Sequence, residues 1–253
     1  MDHRKATDRY YARWLGAEES VFQSIEPVQF FYSEERNRIQ RGHGAPFALY
    51  CLVKEGKCYL SFGDEMREFL PSFRDLLHAG MDADTVRTVL ERSTGRKASR
   101  MIKYVFVKEK ANPEGARCLF PSEYPVYAAF FEACWPGEKA DLWLREYFED
   151  MAREKTCCGV FSDGRLVCAT DSPAVPYLED EIREIGINTL PGFRRRGYGT
   201  RAAACAVREI LAGGKTPIWS TGEGNEASQK LAGKVGFAKY ADCLVIEGGS
   251  PQA

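Results

Sequence analysis

Apolar and polar positions along the chain change their period repeatedly, and each change marks an element. Tyr10, Tyr11, Trp14 and Leu15 share one face at helical spacing, and a second charged stretch runs from Ser33 to Arg41. Residues 1–42 therefore read as helical, with the aromatic stripe as core. Residues 47–53 and 57–62 are extended runs around Glu55-Gly56, which predicts a hairpin. Residues 66–77 and 84–91 carry helical periodicity, with Asp82 or Asp84 able to cap the second and Gly95 to end it. Residues 101–107 alternate and are β-branched, as a strand requires. The charged, turn-rich segment 108–115, with Asn112-Pro113, is the candidate boundary between an N-terminal α/β unit (1–112) and a second domain (113–253).

The second half predicts the order helix, helix, hairpin, strand, helix, strand, helix, strand. Residues 121–134 and 140–155 are amphipathic helices broken at Pro136-Gly137. Residues 157–162 and 165–170 alternate around Asp163-Gly164, a strong hairpin signal because both turn residues need positive φ. A strand at 182–190 leads into a helix at 194–211, stopped by Gly213-Gly214. A short strand (218–221), a last helix (227–234) and a final strand (237–246) follow.

Composition narrows the classes. The 253 residues are 44% hydrophobic and 28% charged, enough to bury a large core. A net charge of -1 argues against a general nucleic-acid binder and makes Arg194-Arg195-Arg196 a local feature. No apolar run nears the ~18 residues that span a membrane, and the charged start lacks a signal-peptide core. Nine cysteines without a Cys-x-x-Cys pair suit reduced core residues in a cytoplasmic protein. His3, His43 and His78 form no ligand pair, so no metal is expected.

The most informative stretch runs from Glu184 to Arg201. Pro191 ends the strand, and Gly197 and Gly199 allow a sharp turn and close approach of an anion. The following helix points its free N–H groups and its positive end at that turn, which predicts a phosphate cradle. The glycines also fit a dinucleotide fingerprint, Gly197-x-Gly199-x-x-Ala202. Only about fifty residues follow, too few for a Rossmann domain, and the acidic residue due ~20 positions on is poorly met, with Pro217 in that region and Glu223 beyond the next strand. Gly214-Lys215-Thr216 imitates the end of a phosphate loop, but Glu209 stands where its first glycine should be.

Taken from Arg194, the turn is Arg-x-x-Gly-x-Gly after alternating Ile185, Ile187 and Thr189. Together with Asn225-x-x-Ser228-x-x-Leu231-x-x-Lys234-x-Gly236-Phe237, it resembles the GNAT superfamily of N-acetyltransferases over roughly residues 116–247. The strings "EIGINT" and "WSTGEGNEASQKLAGKVGF" look closest to a bacterial subgroup that includes an antibiotic self-resistance acetyltransferase. The resemblance implies an α/β (α+β type) fold: a central mixed, mostly antiparallel sheet flanked by helices. Two of its strands splay into a V for the pantetheine arm, and the N-terminal unit is additional.

The implied chemistry is acetyl transfer from acetyl-CoA to an amine, with no metal. Pyrophosphate would rest on the backbone of Arg195, Arg196, Gly197, Tyr198, Gly199 and Thr200, with the side chains of Arg194, Arg195 and Arg196 adding charge. Pantetheine would pair with the backbone of Ile187, Asn188 and Thr189 as an added strand. Asn225 matches a position that touches the cofactor arm, a role compatible with helix capping. The proton acceptor is Glu184 or Glu181, which alternation puts on opposite faces; Glu184, nearer the cleft, is favoured. The tyrosine that often protonates the leaving thiolate falls at Ala232, which leaves Ser228 or water for that role. A non-catalytic acyl-CoA sensor is the alternative. The acceptor's identity and the N-terminal half's part (closure over the site, substrate choice or a homodimer contact) stay open.

Overall fold

The computed structural model describes residues 2–40, 43–173 and 175–249. Helix α1 (His3–Leu15) is capped by Asp2, which accepts from the Lys5 N–H, and ends at Gly16 with φ 68°. It buries Tyr10, Tyr11, Trp14 and Leu15, as the stripe predicts. The helical reading of 1–42 fails beyond it. A 3-10 turn (Glu19–Gln23), strand β1 (Val28–Tyr32) and another 3-10 turn (Glu34–Asn37) take its place. The segment from Ser33 lacks an apolar stripe to bury, while Val28–Tyr32 is β-branched and aromatic and finds a partner strand.

Strands β2 (Leu49–Lys54) and β3 (Lys57–Phe62) form the expected hairpin, with Glu55 at φ 53° and Gly56 at φ 74°. Helices α2 (Leu70–Leu76) and α3 (Ala83–Thr94) follow; Asp82 caps α3 and Gly95 closes it. Next come β4 (Ser99–Phe106), an unexpected short β5 (Ala116–Cys118), α4 (Tyr124–Cys134) and α5 (Leu142–Arg153). The Asp163-Gly164 turn joins β6 (Cys158–Ser162) to β7 (Arg165–Asp171) with both residues at positive φ. The chain closes with β8 (Ile182–Glu184), β9 (Gly186–Thr189), α6 (Tyr198–Ala212), β10 (Thr216–Gly222), α7 (Glu226–Val235) and β11 (Phe237–Ile246).

The strands form two sheets. Seven line up as β1-β3-β2-β11-β4-β10-β8, antiparallel except at β1·β3 and β10·β8; the others form β5-β6-β7-β9, all antiparallel. Helix α1 covers one face of the larger sheet, where its aromatics meet Leu52, Val105 and Ile218. The other face takes α2 and α3 over Leu49, Cys51 and Leu60, and α6 and α7 over Ile102, Tyr104 and Trp219. Helices α4 and α5 cover the small sheet. Among the described residues, no helix is long and apolar enough to cross a membrane.

One departure from the sequence reading shapes the site. The strand expected at 182–190 is two strands. The Ile185 N–H still donates to Ile218 of the large sheet at 3.1 Å, but from Gly186 the chain pairs with Asp171 of the small sheet. The sheets part there, and β9 is left as the edge of the small one. The large sheet draws strands from both sides of the segment 108–115. Hydrogen bonding does not stop there: β11 pairs with β2 on one side and β4 on the other. An N-terminal unit alone would expose the β2 edge that β11 covers.

Candidate active site

The cradle is built where β9 ends. Leu190 is buried, Pro191–Phe193 makes a 3-10 turn, and the backbone then enters the left-handed region at Arg195 (φ 62°) and Gly197 (φ 79°). Alternating conformations of this kind turn successive amides into an anion-holding concavity. For Arg195 the left-handed region costs roughly 1–2 kcal/mol, strain of the sort stored at binding sites. Gly197 is the N-cap of α6 and offers no side-chain cap, and no acidic residue lies in the first turn. The helix therefore keeps its N–H groups and positive end for an outside anion. Arg194, Arg195 and Arg196 are exposed, and Arg194 Nε donates to the Thr189 carbonyl at 3.2 Å, tying the turn to β9. Only Gly197 is demanded by its φ. At Gly199 a Cβ would meet Leu231 and Ile187 at ordinary contact distances of 3.4 and 3.6 Å.

The expected cofactor-side residues come together around this turn. Ile187, Asn188 and Thr189 lie on β9, whose outer edge is unpaired among the described strands. Tyr198 and Thr200 lie in the first turn of α6. Asn225 caps α7, its Oδ1 accepting from the Ser228 N–H at 3.1 Å. The Ser228 hydroxyl accepts from the buried Trp219 indole at 3.0 Å, so its proton stays available to another partner. Ala232 is fully buried beneath α7, so this helix presents no tyrosine from that position.

On the other side of the split lies a cavity of about 780 Å³. Helix α1 lends it Tyr10, Tyr11 and Trp14, and β2 lends Tyr50. Trp14 stacks on Tyr50 at 4.9 Å between ring centres, and the buried Arg36 guanidinium sits behind both rings. That guanidinium has no hydrogen-bond partner among the described residues, and burial pulls its pKa down. Carboxylates line the cavity too: Glu146 and Asp150 from α5, Glu184, and Glu247 after β11. Lys103 is the one lysine or arginine among the described lining residues. His43 is kept toward its neutral form by burial and then by that lysine.

Glu184 stands at the end of the cavity where the sheets part. The Ser220 hydroxyl donates to its Oε1, and the Ser172 hydroxyl to its carbonyl at 3.0 Å. Glu181 points elsewhere and pairs with Arg9 at the surface, while Arg183 is held by Glu154 at 2.6 Å. Glu181 lies in the turn before β8, and of the two candidate glutamates only Glu184 lines the cavity.

The sequence reading missed Asp171. It sits opposite Gly186, where a Cβ would come within 1.7 Å of its Oδ1. That oxygen is buried and has no hydrogen-bond partner among the described residues, while Oδ2 accepts from Asn188 Nδ2 at 3.3 Å. Burial first, then the charge of Glu184, pushes the carboxyl up to about 6. The available signal was Gly186 itself, since a glycine inside a strand pattern marks a close approach. Tyr10 and Tyr147 also line the cavity, and burial above all, then nearby acidic charge, raises both phenols.

An amide-lined turn at a helix start and a separate acidic, aromatic cavity thus meet where the sheets part. The GNAT acetyltransferase family pattern matches residues 81–242, and the chain belongs to that family. The match begins upstream of the segment expected to divide the chain. Among solved structures, the fold is similar to that of a GNAT-family acetyltransferase from Colwellia psychrerythraea (14% identity, TM-score 0.51, 79% of this chain and 81% of that one). A GNAT-family protein from Novosphingobium aromaticivorans is 22% identical with a TM-score of 0.47, over 61% of this chain and 66% of that one. An acetyltransferase from Salmonella typhimurium, solved with its cofactor acetyl-CoA, is 14% identical with a TM-score of 0.42, over 55% of this chain and 97% of that one. No curated protein matches the chain in sequence.

Proposed function

We propose that the chain is a cytoplasmic N-acetyltransferase that moves the acetyl group of acetyl-CoA to an amine by direct attack in a ternary complex. The observation that carries this reading is Glu184: a carboxylate inside an aromatic cavity, two residues before the free strand edge. In this reading the pyrophosphate lies on the amides of residues 195–200, with Arg194, Arg195 and Arg196 adding charge. The pantetheine arm pairs with Ile187, Asn188 and Thr189 as an added strand, beside Asn225 and Ser228. The thioester carbonyl then faces the cavity, and Glu184 accepts the proton of the attacking amine.

The cavity walls favour a particular acceptor. Among the described lining residues, four carboxylates against one lysine attract a cation, and the aromatic rings suit an apolar or cationic body. The acceptor is a cationic amine with hydrophobic bulk, which reaches the site protonated and loses its proton to Glu184. A non-catalytic sensor would need the cradle but not this cavity. Thiol release from acetyl-CoA across an amine panel separates the two: a sensor melts at higher temperature with acetyl-CoA yet releases no coenzyme A with any amine.

A further inference from the structure

Motif spacing offers no metal site, but folding gathers three of the nine thiols into one place. Cys118 on β5 and Cys158 on β6 face each other in antiparallel register, with their sulfurs 3.9 Å apart. Cys205 reaches them from α6, and the three sulfurs lie within 4.8 Å of one another. Cys158 and Cys205 are buried and Cys118 is half-buried, so an ion has a route in beside Cys118. We propose that Cys118, Cys158 and Cys205 form a three-thiolate site for a thiophilic d10 ion of the Zn(II), Cd(II) or Cu(I) class.

The spacing fits that class. Three sulfurs bound at about 2.3 Å lie roughly 3.8–4.0 Å apart, so the cluster needs little contraction to close on an ion. All three donors are soft, which selects against Mg(II) and Ca(II). The Lys155 carbonyl lies 3.6 Å from the Cys118 sulfur and 3.9 Å from that of Cys158. The Lys155 side chain adds positive charge near Cys118, which offsets part of the charge of three thiolates. On binding, the thiol protons pass to solvent while three metal–sulfur bonds replace the ion's water ligands, and no electron is transferred. The cluster lies away from the acceptor cavity, so the proposal is independent of the catalytic one.

The test is titration of the reduced, metal-free full chain with Cd(II) under anaerobic conditions, followed by thiolate-to-metal charge-transfer absorption and native mass. We expect saturation at one equivalent, a raised melting temperature, and no competition from Mg(II). Cys205→Ser and Cys118→Ser should each weaken Cd(II) binding about tenfold or more, while Cys134→Ser titrates like the parent. Using both variants guards against a failure of the buried Cys205→Ser to fold. Absence of a one-equivalent end point overturns the proposal, and so does parental affinity in Cys118→Ser. A reduced protein that ignores metal but forms a Cys118–Cys158 disulfide in air would overturn it as well.

Discussion

The two walls of the cleft are built on different principles. The wall from Gly186 to Thr200 would hold its ligand mainly with backbone: a free strand edge, two left-handed residues and an uncapped helix start. The opposite wall is made of side chains brought from α1, β2, α5, β8 and the end of β11. Backbone recognition depends on a local run of φ values, so a short contiguous string can encode it. A side-chain cavity depends on tertiary placement, and its members lie more than two hundred positions apart in the chain. Glu184 stands at the junction, and substitutions that strike one wall should leave the other's ligand in place.

The largest effect is expected at the junction. Glu184→Gln keeps the shape and the hydrogen bond from Ser220 but cannot take a proton. General-base catalysis contributes about 10²–10⁴-fold, and kcat/KM for the acceptor should fall by that order while acetyl-CoA still raises the melting temperature. A variant that keeps parental activity would remove Glu184 from the mechanism. Next comes the aromatic wall. Trp14→Ala opens a hole between Tyr50 and Phe47 and uncovers Arg36, and should lower stability by about 3–5 kcal/mol in denaturant melts. Its surviving folded fraction should bind acetyl-CoA normally and show a raised KM for the amine. A KM change for acetyl-CoA instead would mean that the walls are not separate.

Gly197→Glu attacks the backbone wall alone. It forces a side chain into φ 79° and puts a negative charge at the helix start. Parent protein at acetyl-CoA near 100 times Kd gains about 2.7 kcal/mol, and the variant should gain none of it. A full ligand-induced shift in the variant would place the diphosphate elsewhere.

The same contrast explains what could be read in advance. The Asp163-Gly164 and Glu55-Gly56 hairpins, the Asp82 and Asn225 caps and the Gly197 turn are local, and each stands where its residues predict. The helical reading of 1–42 failed beyond α1 because the charged stretch from Ser33 carries no apolar stripe and Val28–Tyr32 pairs as a strand with β3. The single strand 182–190 failed because no local signal short of Gly186 says that Ile185 stays with one sheet while Gly186 joins another. Strand β5 was invisible for a related reason: at three residues, its existence depends on pairing with β6. The use of α1 as a cavity wall depends on β11 joining β2 to β4, a contact between the two ends of the chain.

The smallest of these effects bears on the junction itself. The Asp171 carboxyl is buried beside Glu184 and holds its proton up to about pH 6, whereas an unperturbed aspartate releases it near 3.8. Between those values the folded protein binds more protons than the unfolded chain, so this group's contribution to stability falls as pH rises through the window and levels off above it. Asp171→Asn removes the buried charge and can still accept from Asn188. It should therefore be more stable than the parent at pH 7, on the order of 1–3 kcal/mol, with the gap shrinking below about pH 5. Denaturant melts of both proteins from pH 4 to 8 give the difference directly, with the other carboxylates cancelling. If Asn is stabilising but slows turnover, the charge is kept at a cost in stability because the proton path through Glu184 uses it. If Asn destabilises the protein at pH 7, the unpartnered Oδ1 has a partner, and the junction is a structural contact between the sheets.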